Sequence, residues 1–235
     1  MHFTRASRYH AARIAGCGAT VQLEIFSDVV CPWCYVGHAR LQQALAARPG
    51  AIAEITWLPF ELNPNLPEEG RDRAEYLRER FGDVNRFADA QRQLVSLGAT
   101  LGIDFRFDAV KRSPNTRRAH VLAALARRDS AAMQHAVIEK LFAAYFTEGR
   151  DVGDRDVLLA IADECGLERD VAQRALADSA LHAEVESLEA LARSWNVSGV
   201  PTFIFDRRTG FSGAQPLEVF LQVIDDLGSQ SATRS

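Results

Sequence analysis

Cysteine is scarce. The 235 residues hold 4, and only Cys31 and Cys34 are close together. That is too few, and too scattered, for a disulfide-stapled scaffold. Long apolar runs are missing, so no segment reads as a membrane span. An excess of basic residues is missing too. The 27 Lys and Arg against 31 Asp and Glu leave a net charge of −4, which offers nucleic acid no overall basic field. There is no internal repeat and no low-complexity block. What remains is ordinary globular composition, 47% hydrophobic and 25% charged, enough for one large domain or a domain carrying an insertion.

Residues 1–20 stand apart. They carry Arg5, Arg8 and Arg13, no acid, and no apolar h-region of a secretory signal. They read as a disordered extension, with a transit-like segment as the alternative, and the expected location is cytoplasmic. "VQLEIFS" (Val21–Ser27) alternates apolar and polar residues and reads as a strand. "YVGHARLQQALAAR" follows with Val36, Leu41 and Leu45 at helical spacing and stops at Pro49-Gly50. "AIAEITWLPF" (Ala51–Phe60) is a second strand, and the strand–helix–strand order implies a parallel pair.

After the Pro-rich "ELNPNLPEEG" the chain reads as almost wholly helical to Trp195. Asp72 and Glu75 form a capping box, and Gly82 closes that helix. Asp83 caps the next, which buries Val84, Phe87, Leu94 and Leu97 before Gly98. Asn115 is the expected N-cap of a helix running to Arg128, and Ser130 and Asp154 open two more. Phe87, Leu94, Leu141, Phe142, Tyr145 and Phe146 make the expected core of this helical block. Strand pattern returns at "VPTFIFD", followed by a turn at "RRTG", a short strand at "FSGA" and a last helix from Pro216. The expected organisation is an α/β fold in which residues 21–66 and 196–228 form one discontinuous domain. Residues 67–195 form an inserted helical domain, and residues 229–235 a frayed tail.

The two close cysteines admit three readings: a redox couple, half of a zinc site, or two unreactive residues. With Cys31 at a helix mouth, Pro32 suits the first helical position, where its missing N–H costs nothing. The free N–H groups and partial positive charge of the helix end then favour a thiolate on Cys31. Cys34, three residues on, lies on the same face and can resolve a mixed disulfide formed at Cys31. Trp33 and Pro32 tune the couple. A structural zinc site wants four ligands. His38 offers a third, but no second C-x-x-C exists. Cys165 reads as a buried, inert thiol. Pro201, in "GVPT", is either a strand-start proline or a cis X–Pro facing the cysteines and exposing the Val200 backbone to an extended substrate.

Asp28 is either a proton acceptor for Cys34 or a loop hydrogen-bonding residue. Glu24 either shuttles that proton from beneath the pair or sits exposed. His120 is a proton carrier or a packed histidine. Phe60, Leu62 and Pro64 follow the second strand, where α/β sheets open their clefts, and line a groove or close the core.

The ordered set "FSDVVCPWCYVG", "PFELNP", "NTRRAH", "GVPTFIF" and "SGAQP" resembles the DsbA family of thioredoxin-like oxidoreductases, in its FrnE-like branch. That branch is related to the 2-hydroxychromene-2-carboxylate isomerases and kappa-class glutathione transferases. The resemblance spans Val21 to Gly228. It implies a thioredoxin fold with a helical insertion, Cys31 and Cys34 as redox cysteines, Pro201 as the cis proline, and the Asn115 helix bordering the cleft. Trp33, Val200, Pro201, Phe60 and Asn115 are then the expected substrate-binding residues. The implied activity is thiol–disulfide exchange on protein or peptide disulfides, with no bound cofactor or metal and with glutathione as a recycling reductant. The chain is expected as monomer or homodimer. The alternative is a glutathione-dependent isomerase or transferase, although those relatives usually carry serine where Cys31 stands.

Overall fold

The computed structural model describes residues 21–82 and 84–232. The first half-motif is strand β1 (Val21–Ser27), helix α1 (Pro32–Ala47) and strand β2 (Ile52–Pro59). A long helical excursion follows. It begins with the two-residue strand β3 (Arg71–Asp72), α2 (Arg73–Phe81), α3 (Val84–Thr100) and the short β4 (Arg112–Ser113). It continues with α4 (Arg117–Asp129), α5 (Ala131–Phe146), α6 (Arg155–Cys165), α7 (Arg169–Ala175) and α8 (Ser179–Ser194). The chain then returns through β5 (Thr202–Phe205), β6 (Thr209–Ser212) and α9 (Leu217–Ala232).

The main sheet runs β2-β1-β5-β6. β1 and β2 are parallel, as a helical crossover requires, while β5 and β6 add antiparallel. One sheet is therefore assembled from both ends of the chain, which is the α/β thioredoxin-like fold with a helical insertion that the sequence implied. The caps follow local chemistry. Asp72 accepts from the Glu75 N–H, Ser130 from that of Met133, and Asp154 from those of Asp156 and Val157.

The inserted helices do not hold a core of their own. Leu141, Phe142, Tyr145 and Phe146 are buried in one continuous cluster with Leu23, Ile25, Val36 and Phe203 of the sheet half. The joint is Tyr35 of α1, stacked on Phe142 of α5 with ring centroids 5.2 Å apart. On the opposite face Phe26 meets Trp195 edge-on at 5.8 Å, beside Leu58 and Ala192. Phe87, expected in the core, instead lines an open cleft.

β2 is a sheet edge, and a buried edge leaves peptide groups to be satisfied. Gln134 of α5 supplies the missing strand. Its amide oxygen accepts from the Trp57 N–H at 3.0 Å and its amide nitrogen donates to the Trp57 carbonyl at 2.9 Å.

Several boundaries differ from expectation. α3 continues past Gly98, which is glycine because a Cβ there would lie 2.5 Å from the Phe105 ring. α9 runs on to Ala232, into the stretch expected to fray. Asn115 is not the cap of α4; Thr116 holds that position, without a side-chain cap bond. Asn115 accepts from the Arg117 N–H and donates to the Leu66 carbonyl, tying the post-β2 loop to the start of α4. Residues 1–20 with Cys17, the Asp83 cap and the Val84 side chain lie outside the described residues.

Replacing Gln134 by Leu orphans both Trp57 peptide groups. We expect a loss of about 1–3 kcal/mol for each unsatisfied group, read as a lower urea midpoint for Gln134→Leu, with Gln134→Glu recovering only the donor half.

Candidate active site

β1 ends at Ser27, and a tight turn brings the Cys31 N–H onto the Asp28 carbonyl at 3.0 Å. Cys31 is thereby left at the N-cap of α1 in extended conformation (φ −89°, ψ 113°), with Pro32 at the first helical position. Its carbonyl accepts from the Cys34 N–H at 3.0 Å. Its side chain makes no cap bond, so the N–H groups of the first helical turn are left without a side-chain partner. Both cysteines are unbridged thiols.

The second half of the site comes from the far end of the chain. The Val200–Pro201 peptide is cis, and the Val200 carbonyl lies 3.7 Å from the Cys31 sulfur. Thr202 fixes this loop. Its hydroxyl donates to the Gly199 carbonyl at 2.8 Å and contacts the Ser212 hydroxyl at 2.8 Å. Gly37 permits the close approach, since a Cβ there would stand 3.1 Å from both Pro201 and Phe203.

The two thiols differ in surroundings. Cys31 lines a cleft of about 720 Å³ with Pro32, Trp33, Gly199 and Val200. Trp33 is 47% exposed at its rim. Cys34 lies one turn deeper, 1% exposed. Burial pushes the Cys34 thiol well above its ordinary range. Cys31 adds to the rise, while the Ser27 hydroxyl and the Asp28 backbone pull it back. The cleft's other walls are Leu62, Leu66, Tyr76, Leu77, Phe87 and Leu94. Arg73 and Arg80 also face it, and Arg73 donates to the Tyr145 hydroxyl at 3.0 Å.

The remaining candidates divide. Asp28 is fully buried, and its carboxylate accepts from the Leu62 N–H at 2.8 Å. His120, also buried, places Nε2 3.7 Å from Asp28 Oδ1. These two are brought together, with Asp28 in the turn that carries Cys31. Glu24 is directed elsewhere, held by the Arg207 guanidinium at 2.6–3.1 Å, and it is not among the groups acting on Cys34. Phe60 packs with Phe26 and Leu58, not on the cleft. Asn115 likewise stands outside the cleft lining, because both halves of its amide are spent on the backbone. Of Phe60, Leu62 and Pro64, only Leu62 lines the cleft, joined there by Asn63 and Leu66.

The zinc arrangement does not form. His38 turns away from the cysteines toward His135, with Nε2 atoms 3.4 Å apart. His38, His135 and Glu139 come close enough to suggest a metal site, but the donor chemistry opposes it. Trp57 donates its indole N–H to His135 Nδ1 at 3.1 Å, so the neutral ring carries its proton on Nε2, the atom facing His38. Burial and the neighbouring His135 hold His38 down at about 3, so it stays neutral. Cys165 is half-buried rather than buried, and that partial burial raises its thiol.

Sequence reading missed Ser27, Glu61, Arg73 and Arg80. Glu61 is buried, and burial raises its carboxyl despite Arg117 beside it. Only "PFELNP", part of the motif set, pointed toward it.

A thiol pair split between a helix mouth and the interior, facing a proline loop, defines a thioredoxin-like protein with an inserted helical domain. The chain belongs to the DsbA-like thioredoxin domain family, matched over residues 22–225. Among solved structures it is similar to a probable DsbA oxidoreductase, SCO1869, from Streptomyces coelicolor. That likeness has 32% identity and a TM-score of 0.81, covering 89% of this chain and 91% of that one. The fold also matches a 2-hydroxychromene-2-carboxylate isomerase at 18% identity and TM-score 0.70, over 91% and 99% of the two chains. A third likeness is the cytosolic disulfide reductase DsbM from Pseudomonas aeruginosa, with GSH, at 20% and 0.60, over 91% and 98%. No described helix is long and apolar enough to cross a membrane.

The raised Cys34 thiol couples folding to pH. Because the folded state holds this proton more tightly than the unfolded chain, its contribution is full below the unfolded thiol value of about 8.5 and declines as pH rises above it. Urea midpoints of the reduced protein should therefore fall between pH 8.5 and 9.5, and Cys34→Ala should show a shallower fall over the same interval.

Proposed function

We propose that the protein is a dithiol–disulfide oxidoreductase that exchanges disulfides with protein or peptide substrates. The observation that carries this reading is the asymmetry of the pair. Cys31 opens onto a cleft at a helix N-terminus, and Cys34 is sealed one turn below it. The Cys31 thiolate attacks a substrate disulfide, forming a mixed disulfide and releasing one substrate thiolate. Cys34 gives up its proton and attacks the Cys31 sulfur. A Cys31–Cys34 disulfide forms, the second substrate thiolate leaves, and two electrons have passed to the substrate.

Val200 and Pro201 present backbone to an extended substrate segment beside the reacting sulfur. Trp33 supplies an apolar surface at the rim. Asp28 and His120, buried together, take part in moving the Cys34 proton. In a cytoplasmic setting the couple is held mainly reduced, so electrons run from enzyme to substrate. Glutathione then restores the dithiol. Its two carboxylates suit Arg73 and Arg80, and the similar fold of a reductase solved with GSH is in keeping with this.

Insulin reduction with glutathione as the electron source tests the reading. Cys31→Ser should abolish turnover, and Cys34→Ser should stall as a mixed disulfide visible by mass spectrometry. Undiminished turnover by Cys31→Ser, or a glutathione-dependent isomerisation that survives it, would reject dithiol exchange in favour of the isomerase or transferase class. In the same assay Arg80→Gln should raise KM for reduced glutathione about two- to tenfold, the worth of one charged hydrogen bond, with kcat little changed.

A further inference from the structure

Three buried side-chain atoms among the described residues have no hydrogen-bond partner: Ser27 Oγ, His120 Nε2 and Glu61 Oε2. Buried polar atoms are nearly always paired, so each orphan calls for an explanation. Here they fall in one neighbourhood. Ser27 is the side-chain hydroxyl that acts on the Cys34 thiol. His120 stands by Asp28, its Nε2 3.7 Å from Oδ1.

Two of the three open onto the same space. A second cavity of about 340 Å³ lies behind the sheet, distinct from the substrate cleft. Its inner end is formed by Ser27, His120 and Gln134, and its walls by Leu58, Ala124 and Ile138. Arg127, Arg128 and Glu184 also line it. All three are half-buried or exposed, and their charges are engaged with surface partners, Arg127 with Glu54 and Arg128 with Glu184. The cavity therefore runs from the wall of the active site to solvent. Cys34 itself lines neither space: the substrate cleft ends at Cys31, and the rear cavity ends at Ser27, whose hydroxyl acts on the Cys34 thiol.

Resting on the oxidoreductase reading, we propose that the Cys34 proton leaves through this rear cavity by way of Ser27 and His120, not through the substrate cleft. The chemistry requires a separate exit. When Cys34 must ionise, the substrate is covalently held on Cys31 and fills the front. The thiol proton passes to the Ser27 hydroxyl as that hydroxyl releases its own toward His120 and solvent in the cavity. The Cys34 sulfur keeps the electron pair and forms the bond to Cys31. The departing substrate thiolate takes its proton from solvent in the cleft, so protons and electrons balance. Ser27 and His120 thus serve as positioning and relay residues for the resolving step alone.

A single-turnover experiment with a fluorogenic glutathione disulfide separates the two steps, since the first thiol leaves on Cys31 attack and the second on Cys34 resolution. Ser27→Ala should slow the second release about tenfold or more, within the range of acid–base assistance, and leave the first within about twofold. Ser27→Thr keeps the hydroxyl and should restore the rate. Ala124→Leu, which fills the cavity without touching the cysteines, should also slow the second release and lower its solvent deuterium isotope effect, because ionisation then follows another path. Normal first release with wild-type second release in both Ser27→Ala and Ala124→Leu overturns the rear route alone. Absence of the first release in the wild-type protein overturns the oxidoreductase reading and the route with it.

Discussion

The site depends on one junction, the approach of the α1 N-terminus to the Val200–Pro201 loop. Cys31 and Val200 are separated by 169 residues yet stand 3.7 Å apart. Several features of the fold hold that junction in place. β1 delivers the helix mouth, β5 delivers the loop, and the two strands pair antiparallel between Leu23–Phe26 and Thr202–Phe205. Gly37 leaves room for the contact, and Thr202 pins the loop from behind. The long helical insertion is accommodated because it leaves from β2 and returns at β5, the two strands that flank β1 in one sheet.

Access to the cleft then distinguishes two chemically identical, buried residues. At the helix mouth a thiol meets the cleft and the Val200 carbonyl. One turn deeper it meets apolar surroundings that resist its ionisation. The inserted helices contribute to this difference. Phe142 and Phe146 pack on Tyr35, directly after Cys34 in the chain, and seal that side of α1. The insertion is thus a second wall of the core as well as the far bank of the cleft. Tyr145 illustrates both roles. It is buried, with its phenol pushed up to about 12, yet its hydroxyl accepts from Arg73 at the cleft wall.

What the sequence made legible was local or carried by a motif. C-P-W-C between a strand and a helix, V-P-T before a strand, and side-chain caps at Asp72, Ser130 and Asp154 all express chemistry within a few residues. The parallel pairing of β1 with β2 followed from strand–helix–strand logic. Side-chain direction across long distances was not legible. Glu24 sits on the right strand but meets Arg207, which a turn 183 positions later brings alongside. Phe60 and Asn115 are near the site in the chain, yet one packs under the sheet and the other binds backbone. Gln134, one polar residue within a helical pattern, is the pairing partner of a sheet edge. Such partners are set by how the insertion folds back, and no short pattern records that.

The central claim is that Cys31 and Cys34 form one two-electron couple. Equilibration in glutathione redox buffers, followed by acid quenching, thiol labelling and peptide mapping, measures it directly. The account predicts a single transition between the dithiol and an intramolecular Cys31–Cys34 disulfide, following the two-electron slope of about 30 mV per tenfold change in K. A pair that stays as free thiols across the whole buffer range, or that forms only separate glutathione adducts, would contradict it.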